Sequence, residues 1–252
     1  MLNAFWRKEW QEILREGTAW ALGGLFLVLA AIVPVSFRYL PELWLVELFP
    51  SVSLFLRTQE EGASIVFLWI WAVLGSLVMI LWGIGSIAYE WRSGQLRLVL
   101  AKSSAGGGLL LGKWLADCFL LLLVMGASFI LFNQLCRWLF PYSLAWRPTF
   151  LALLLLALYL AFTLALAIFW GAWLRRPGWS ALLTVASLLP QFFLPLPFGT
   201  LAPAMLINLS QAAAFSQPLS WAELLPGACA VVASLLLLLL AGLFLSRPRW
   251  NR

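Results

Sequence analysis

Histidine is absent from this 252-residue sequence, and aspartate occurs once, at Asp117. Serine hydrolases that rely on a Ser/His pair and histidine-ligated metalloenzymes are therefore excluded by residue inventory. Aspartyl proteases need two aspartates and are excluded as well. Cysteine is scarce too: Cys118, Cys136 and Cys229 each lie in an apolar run without CxxC spacing. Neither a disulfide framework nor a metal site is expected from them.

Charged residues are also rare. They make up 10% of the chain, whereas hydrophobic residues make up 63% and the mean hydropathy is +0.96. A soluble domain carries about 25% charged residues, so this composition is typical of a protein embedded in lipid. Membrane spans and their connections use nearly the whole length, which leaves no room for a separate catalytic domain.

Six apolar stretches are long enough to cross a bilayer, because a helix needs about 20 residues to span about 30 Å of hydrocarbon. They cover residues 20–37, 65–89, 114–136, 149–174, 179–196 and 224–245. The fifth stretch is the least regular, since Pro190 and Pro195 free backbone groups that lipid cannot satisfy. The sequence therefore predicts an all-α integral membrane protein with six transmembrane helices.

Lysine and arginine are distributed unevenly between the two sides of these spans. Twelve fall on the side of the termini and four on the other. The positive-inside rule then places both termini in the cytoplasm. Two termini on the same side of the membrane require an even number of spans. The net charge of +6 follows from this bias, so no nucleic-acid partner is expected. Residues 197–223 form an outer loop whose mixture of prolines and apolar residues is compatible with a re-entrant segment.

Asp117 lies about one turn inside the third predicted span. An ionisable group at that depth can mark an ion pathway. We favour a position at the cytoplasmic interface, with Lys113 as its partner four residues earlier. Residues 107–113 match GxxxxGK, but Trp114 stands where a phosphate loop needs Ser or Thr, so no ATP site is expected. Lys113 is expected to reach the headgroups instead.

An amphipathic helix is predicted over residues 2–16. Its apolar positions recur at helical spacing, and charged or polar residues fill much of the remaining surface. Those apolar positions are Phe5, Trp6, Trp10, Ile13 and Leu14. Such a helix should lie in the membrane interface as an elbow before the first span begins near Gly17.

The segment from residue 90 to residue 113 is the most specific signal in the chain. An acidic residue, Glu90, is expected where the second span leaves the membrane. Gly94 is expected to end that helix, and a short amphipathic helix is expected over residues 95–101. Leu96, Val99 and Leu100 share one face of that helix, so it has an apolar surface with no partner inside the loop. A glycine-rich turn then leads to Gly112-Lys113.

This pattern, E-x-x-x-G-x-L-x-x-L-L followed by small residues and L-x-x-G-K, resembles the coupling loop of ABC type-2 exporter permeases. Val99 occupies a leucine position, and Gln95 replaces the usual threonine. Residues 101–105 also lack the usual proline and the arginine after serine. An ordinary basic cytoplasmic loop is the simpler interpretation, but it does not call for this order of residues.

The resemblance implies a permease subunit without enzymatic activity in a bacterial inner membrane. It would dimerise with an identical or different permease and bind two cytoplasmic ABC ATPase subunits. ATP and magnesium would bind to those partners, and this chain would hold no cofactor. The implied ATPase contacts are Glu90, Arg92, Gly94, Leu96, Arg97, Val99, Leu100, Lys102 and Ser103.

Several questions stay open at this level. The chain could instead be a membrane scaffold or assembly factor, or a secondary transporter. Gly23, Gly24, Gly83 and Gly85 allow close helix approach, either at a dimer face or inside one subunit. The apolar, tryptophan-rich spans suit a lipidic or amphipathic substrate.

Overall fold

A computed structural model describes residues 10–11, 17–39, 59–94, 106–140, 146–174, 176–193, 203, 205–214 and 225–246. The helices are α1 Thr18–Tyr39, α2 Gln59–Ile70, α3 Ser76–Ser93, α4 Gly106–Leu139, α5 Trp146–Leu174, α6 Pro177–Phe193, α7 Met205–Ala214 and α8 Leu225–Ser246. A π-helical turn, Trp71–Gly75, connects α2 directly to α3. No β-strand occurs in these ranges.

Five segments are long and apolar enough to cross a membrane. They are Trp20–Tyr39, Gly62–Ala88, Gly108–Leu139, Thr149–Leu174 and Leu225–Leu243. Each overlaps one of the predicted spans, and the second is formed by α2, the π turn and α3 together. The chain is therefore a helical, multi-pass membrane protein.

The remaining predicted span, residues 179–196, overlaps α6. This helix has 17 residues with Pro190 inside it, and at 1.5 Å per residue it is about 25 Å long. That length falls short of a hydrocarbon core of about 30 Å, and residues 194–196 lie outside the described ranges. The sixth span and the cytoplasmic position of both termini stay predictions. In the predicted outer loop, α7 packs on α5, and its side chains Leu206 and Leu209 are buried.

Helix α5 lies at the centre of the bundle, and 78% of its candidate membrane-spanning stretch is buried inside the protein. Helices α3, α4, α6, α7 and α8 all pack against it, whereas α1 packs on α2 and α4. The contact between α3 and α5 is close at Gly83, where an added Cβ would lie 3.0 Å from Leu164 Cδ1 and 3.1 Å from the Ala167 Cβ. Gly83 therefore serves packing inside the subunit.

Gly24 and Gly85 behave differently. An added Cβ at either position would meet nothing within 4 Å among the described parts of the chain. Both are exposed on the outside of the bundle. Their small size is not needed for packing between the described helices.

Helix α4 is longer than the predicted span of residues 114–136. Its 34 residues correspond to about 51 Å, and it begins in the glycine-rich turn, at Gly106. Hydropathy locates the apolar middle of such a helix but not its ends. The extension at the N-terminal end carries Lys113.

Candidate functional site

The second span ends at a glycine cap, Gly94. Helix α3 stops at Ser93, and Gly94 adopts the left-handed conformation with φ 75° and ψ −2°. Its N–H donates a hydrogen bond to the Trp91 carbonyl oxygen at 3.3 Å. A side chain disfavours this conformation, so glycine is the natural residue for the helix cap. The break predicted at Gly94 is present.

A buried ion pair joins the two ends of the 90–113 segment. Lys113 Nζ lies 2.9 Å from Glu90 Oε1, and the two residues are 5% and 3% exposed, respectively. The pair connects the last turns of α3 to the first turns of α4. The expectation that Lys113 reaches the headgroups is wrong for this structure, because its ammonium group is buried against a carboxylate of the same chain.

Asp117 lies one turn further along α4 and is 4% exposed. Its Oδ1 accepts a hydrogen bond from Trp82 Nε1 on α3 at 3.0 Å. Asp117 is thus buried among helices and accepts a hydrogen bond from another helix. Its expected pairing with Lys113 stays a prediction. Two polar contacts, Glu90–Lys113 and Trp82–Asp117, join the C-terminal half of α3 to the N-terminal half of α4.

The predicted elbow is represented in the structure by Trp10. Residues 10 and 11 are helical, and the Trp10 ring meets the Phe119 ring edge to face with centroids 5.3 Å apart. Trp10 also packs beside Ala116, which is fully buried. Trp10 therefore contacts the same stretch of α4, residues 113–119, that carries both polar contacts. The other elbow residues, Phe5, Trp6, Ile13 and Leu14, lie outside the described ranges.

Most of the predicted ATPase contacts also fall outside those ranges. Arg92 is in the last turn of α3, but its side chain is not described. The residues of the predicted amphipathic face and its polar neighbours are not described at all. These are Leu96, Arg97, Val99, Leu100, Lys102 and Ser103. Their contact with a partner stays a prediction.

A narrow cleft runs beside Asp117, between α1 and α4 on one side and α3 on the other. Its free volume is about 20 Å³, enough for a group the size of one water molecule. The walls include Leu22, Phe26, Trp71, Trp82, Asp117 and Leu121. Sequence reasoning missed this feature. Trp71 and Trp82 are eleven residues apart, which is about three helical turns, so both side chains lie on the same face of a helix. This spacing was the available signal in the sequence.

No protein-family model matches the sequence, and no curated protein matches it at a significant level. In the described part of the chain, no group of three or more Cys, Asp or Glu side chains is arranged to hold a metal ion. The function of the chain is therefore inferred from its own residues.

Proposed function

We propose that this chain is the transmembrane subunit of an ATP-driven ABC transporter of the exporter type, located in a bacterial inner membrane. Two permease subunits, identical or different, would bind two cytoplasmic ATPase subunits through the 90–113 segment. ATP hydrolysis on those subunits would drive substrate translocation or transmit force. The chain itself would bind no nucleotide.

The Glu90–Lys113 ion pair is the observation that carries this proposal. These two residues are the first and last positions of the loop motif, and their side chains bond to each other at 2.9 Å. The pair, together with the cap at Gly94, fixes the ends of the segment. In this proposal Glu90 and Gly94 support the docking loop and Leu96, Val99 and Leu100 touch the ATPase.

The stretch of α4 from residue 113 to residue 119 supports a mechanical role. It is joined to the end of α3 through Lys113 and Glu90, to the middle of α3 through Asp117 and Trp82, and to Trp10 of the predicted elbow through Phe119. A force applied to the loop would therefore act directly on α4, the long helix that the predicted elbow also contacts. Displacement of α4 against α3 would be the movement that the ATPases drive.

Co-purification provides the first test. The tagged chain is expressed together with the proteins encoded beside it and extracted in mild detergent. We expect the ATPase to be retained in equal amounts with the permease. Failure of any neighbouring ATPase to bind would overturn the proposal and favour a scaffold or assembly factor.

A pair of double variants tests the docking face. Leu96→Asp with Leu100→Asp is expected to abolish ATPase binding, because two carboxylates would replace the apolar surface. Ser104→Asp with Ala105→Asp adds the same charge outside that face and should retain binding. Membrane insertion of both variants is checked by extraction with alkaline carbonate, and equal binding by both would contradict the assignment.

A secondary transporter is a second candidate because Asp117 is only 4% exposed within a spanning helix. Buried ionisable residues at this depth often belong to ion pathways. Transport in cells distinguishes the two candidates. An ABC transporter should stop when the Walker lysine of the partner ATPase is replaced, whereas a secondary transporter should stop when a protonophore or sodium ionophore is added and ATP is maintained.

A further inference from the structure

Helices α5 and α6 are connected by two adjacent arginines, Arg175 and Arg176. The first turn of α6 is fastened to the end of α5 by Ser180. Its hydroxyl group shares a hydrogen bond between the Trp170 carbonyl oxygen at 3.1 Å and the Arg176 carbonyl oxygen at 2.9 Å. The Ser180 N–H also donates to the Arg176 carbonyl oxygen at 3.0 Å. The backbone of Arg176 is therefore held in place, while its side chain is exposed.

Tryptophan rings lie on both sides of this connection. Trp170 Nε1 donates a hydrogen bond to Ser187 Oγ on α6 at 3.1 Å, which fixes the Trp170 ring. Trp173 stacks on Trp170 with centroids 5.1 Å apart, and it meets Phe169 edge to face. Trp173 is nevertheless exposed, and Trp179, at the start of α6, is 59% exposed. Two exposed indole rings thus flank Arg176 along the chain, and the ring of Trp173 is held by its neighbours.

The exposed surface of α6 is apolar. Its exposed large side chains recur every three or four residues over about 15 Å, and they are Trp179, Leu182, Val185 and Leu189. The hydroxyl-bearing side chains Ser180 and Thr184 have no exposed surface. A helix with its polar groups inside the bundle and an apolar surface outside is suited to contact with hydrocarbon.

The two arginines lie where this lipid-facing surface ends. The membrane-spanning stretch of α5 ends at Leu174, directly before them. Exposed tryptophan beside arginine is typical of the membrane interface, where indole rings lie at the level of the headgroups and guanidinium groups reach phosphates. No acidic residue occurs in the sequence between Asp117 and Glu223, so this part of the sequence carries only positive charge. One arginine at a membrane surface favours anionic over neutral lipid by roughly fivefold.

We propose that the connection between α5 and α6 binds an anionic phospholipid. The phosphate would accept hydrogen bonds from the guanidinium group of Arg176, whose planar donors match phosphate oxygens, and an acyl chain would lie along the exposed surface of α6. A lipid fits better than a free phosphate ion because the apolar surface that begins at Trp179 also needs a hydrocarbon cover. The inference does not depend on the proposed function.

Fluorescence quenching in lipid nanodiscs tests the proposal. In the full-length chain with Cys118, Cys136 and Cys229 replaced by alanine, Gly178→Cys carries a small fluorophore, because an added Cβ at this position meets nothing within 4 Å. Phosphatidylglycerol and phosphatidylcholine, each with a nitroxide near the headgroup end of one acyl chain, are compared in nanodiscs of unlabelled phosphatidylcholine. We expect half-maximal quenching at a mole fraction at least about threefold lower for phosphatidylglycerol.

The double variant Arg175→Gln with Arg176→Gln should remove this difference, because glutamine can still donate hydrogen bonds but carries no charge. Arg247→Gln with Arg249→Gln removes the same charge from the C-terminal tail and is the matched control, which should keep the preference. Folding of both is checked by gel filtration and circular dichroism. In the parent chain, added NaCl should reduce the preference, since salt screens exposed charges.

Equal quenching by the two lipids in the parent chain would overturn the proposal, as would a preference that survives in the folded Arg175→Gln, Arg176→Gln variant. Loss of the preference in both double variants would indicate an effect of net charge alone and would also overturn it. Weak quenching by both lipids would mean that a protein surface covers the site, which contradicts the proposal. The assay contains no ATPase, so its outcome is separate from that of co-purification.

Discussion

Lys113 and Glu90 are 23 residues apart in the chain, yet their side chains form an ion pair 2.9 Å long that is almost completely buried. The pair links α3 to α4 at the base of the loop that connects them. Breaking one partner of a buried pair leaves the other charge without compensation, whereas replacing both by apolar residues removes the cost of burying charge.

Lys113→Met is therefore expected to destabilise the protein by about 3–5 kcal/mol. The double variant Lys113→Met with Glu90→Leu should recover most of that loss. The measurement is unfolding in mixed micelles, followed by circular dichroism as the denaturing detergent fraction rises. Additive losses in the double variant would show that the two side chains do not stabilise each other.

The close contact between α3 and α5 at Gly83 gives a second prediction. Gly83→Ala places a Cβ 3.0 Å from Leu164 Cδ1, and we expect a loss of about 1–3 kcal/mol in the free energy of unfolding. Gly85→Ala, two residues later on the same helix, meets nothing within 4 Å and serves as the control. Its stability should stay unchanged or rise by roughly 0.5 kcal/mol. Similar losses at both positions would argue against the packing described here.

The elbow contact is tested by a double-mutant cycle on Trp10 and Phe119. Edge-to-face aromatic pairs contribute about 0.5–1.5 kcal/mol beyond the area they bury, so Trp10→Ala and Phe119→Ala should show a coupling energy in that range. A parallel cycle with Leu123→Ala is the control, because Leu123 is on the same helix and is exposed to a similar extent. Its coupling to Trp10 should be close to zero. Coupling of equal size in both cycles would contradict a specific contact.

Cysteine labelling tests the sixth span and the position of the termini. In a chain with Cys118, Cys136 and Cys229 replaced by alanine, Ser103→Cys and a cysteine added after Arg252 should react with an impermeant maleimide only in opened cells. Ser216→Cys should react in intact cells. If residues 179–196 do not cross the membrane, Ser216→Cys and the added cysteine exchange sides.

Five of the six predicted spans were readable from sequence because hydropathy depends on composition over about 20 residues and not on tertiary contacts. The glycine break at Gly94 was also predictable, since the left-handed conformation has a strong residue preference. The N-terminal end of α4 was not predictable from sequence. The glycines there give no apolar signal, although the chain is helical from Gly106.

The hydrogen bond between Trp82 and Asp117 could not be predicted either. Spacing along a helix identifies neighbours at i and i+4, which suggested Lys113 for Asp117. Trp82 is 35 residues away in the chain, and its hydrogen bond to Asp117 depends on how α3 lies against α4. The π turn was likewise invisible, because residues 71–75 have the same apolar character as the helices on either side.

At about 51 Å, α4 exceeds the thickness of a typical hydrocarbon core by about 20 Å. Such a mismatch is accommodated by tilt, and a thinner bilayer requires a larger tilt. Because Lys113 is near one end of this helix, a change in tilt moves it relative to Glu90 on α3. We therefore expect the thickness of the surrounding lipid to act on the ion pair that joins α3 to α4, so that lipid composition becomes a variable that sets the strength of this link.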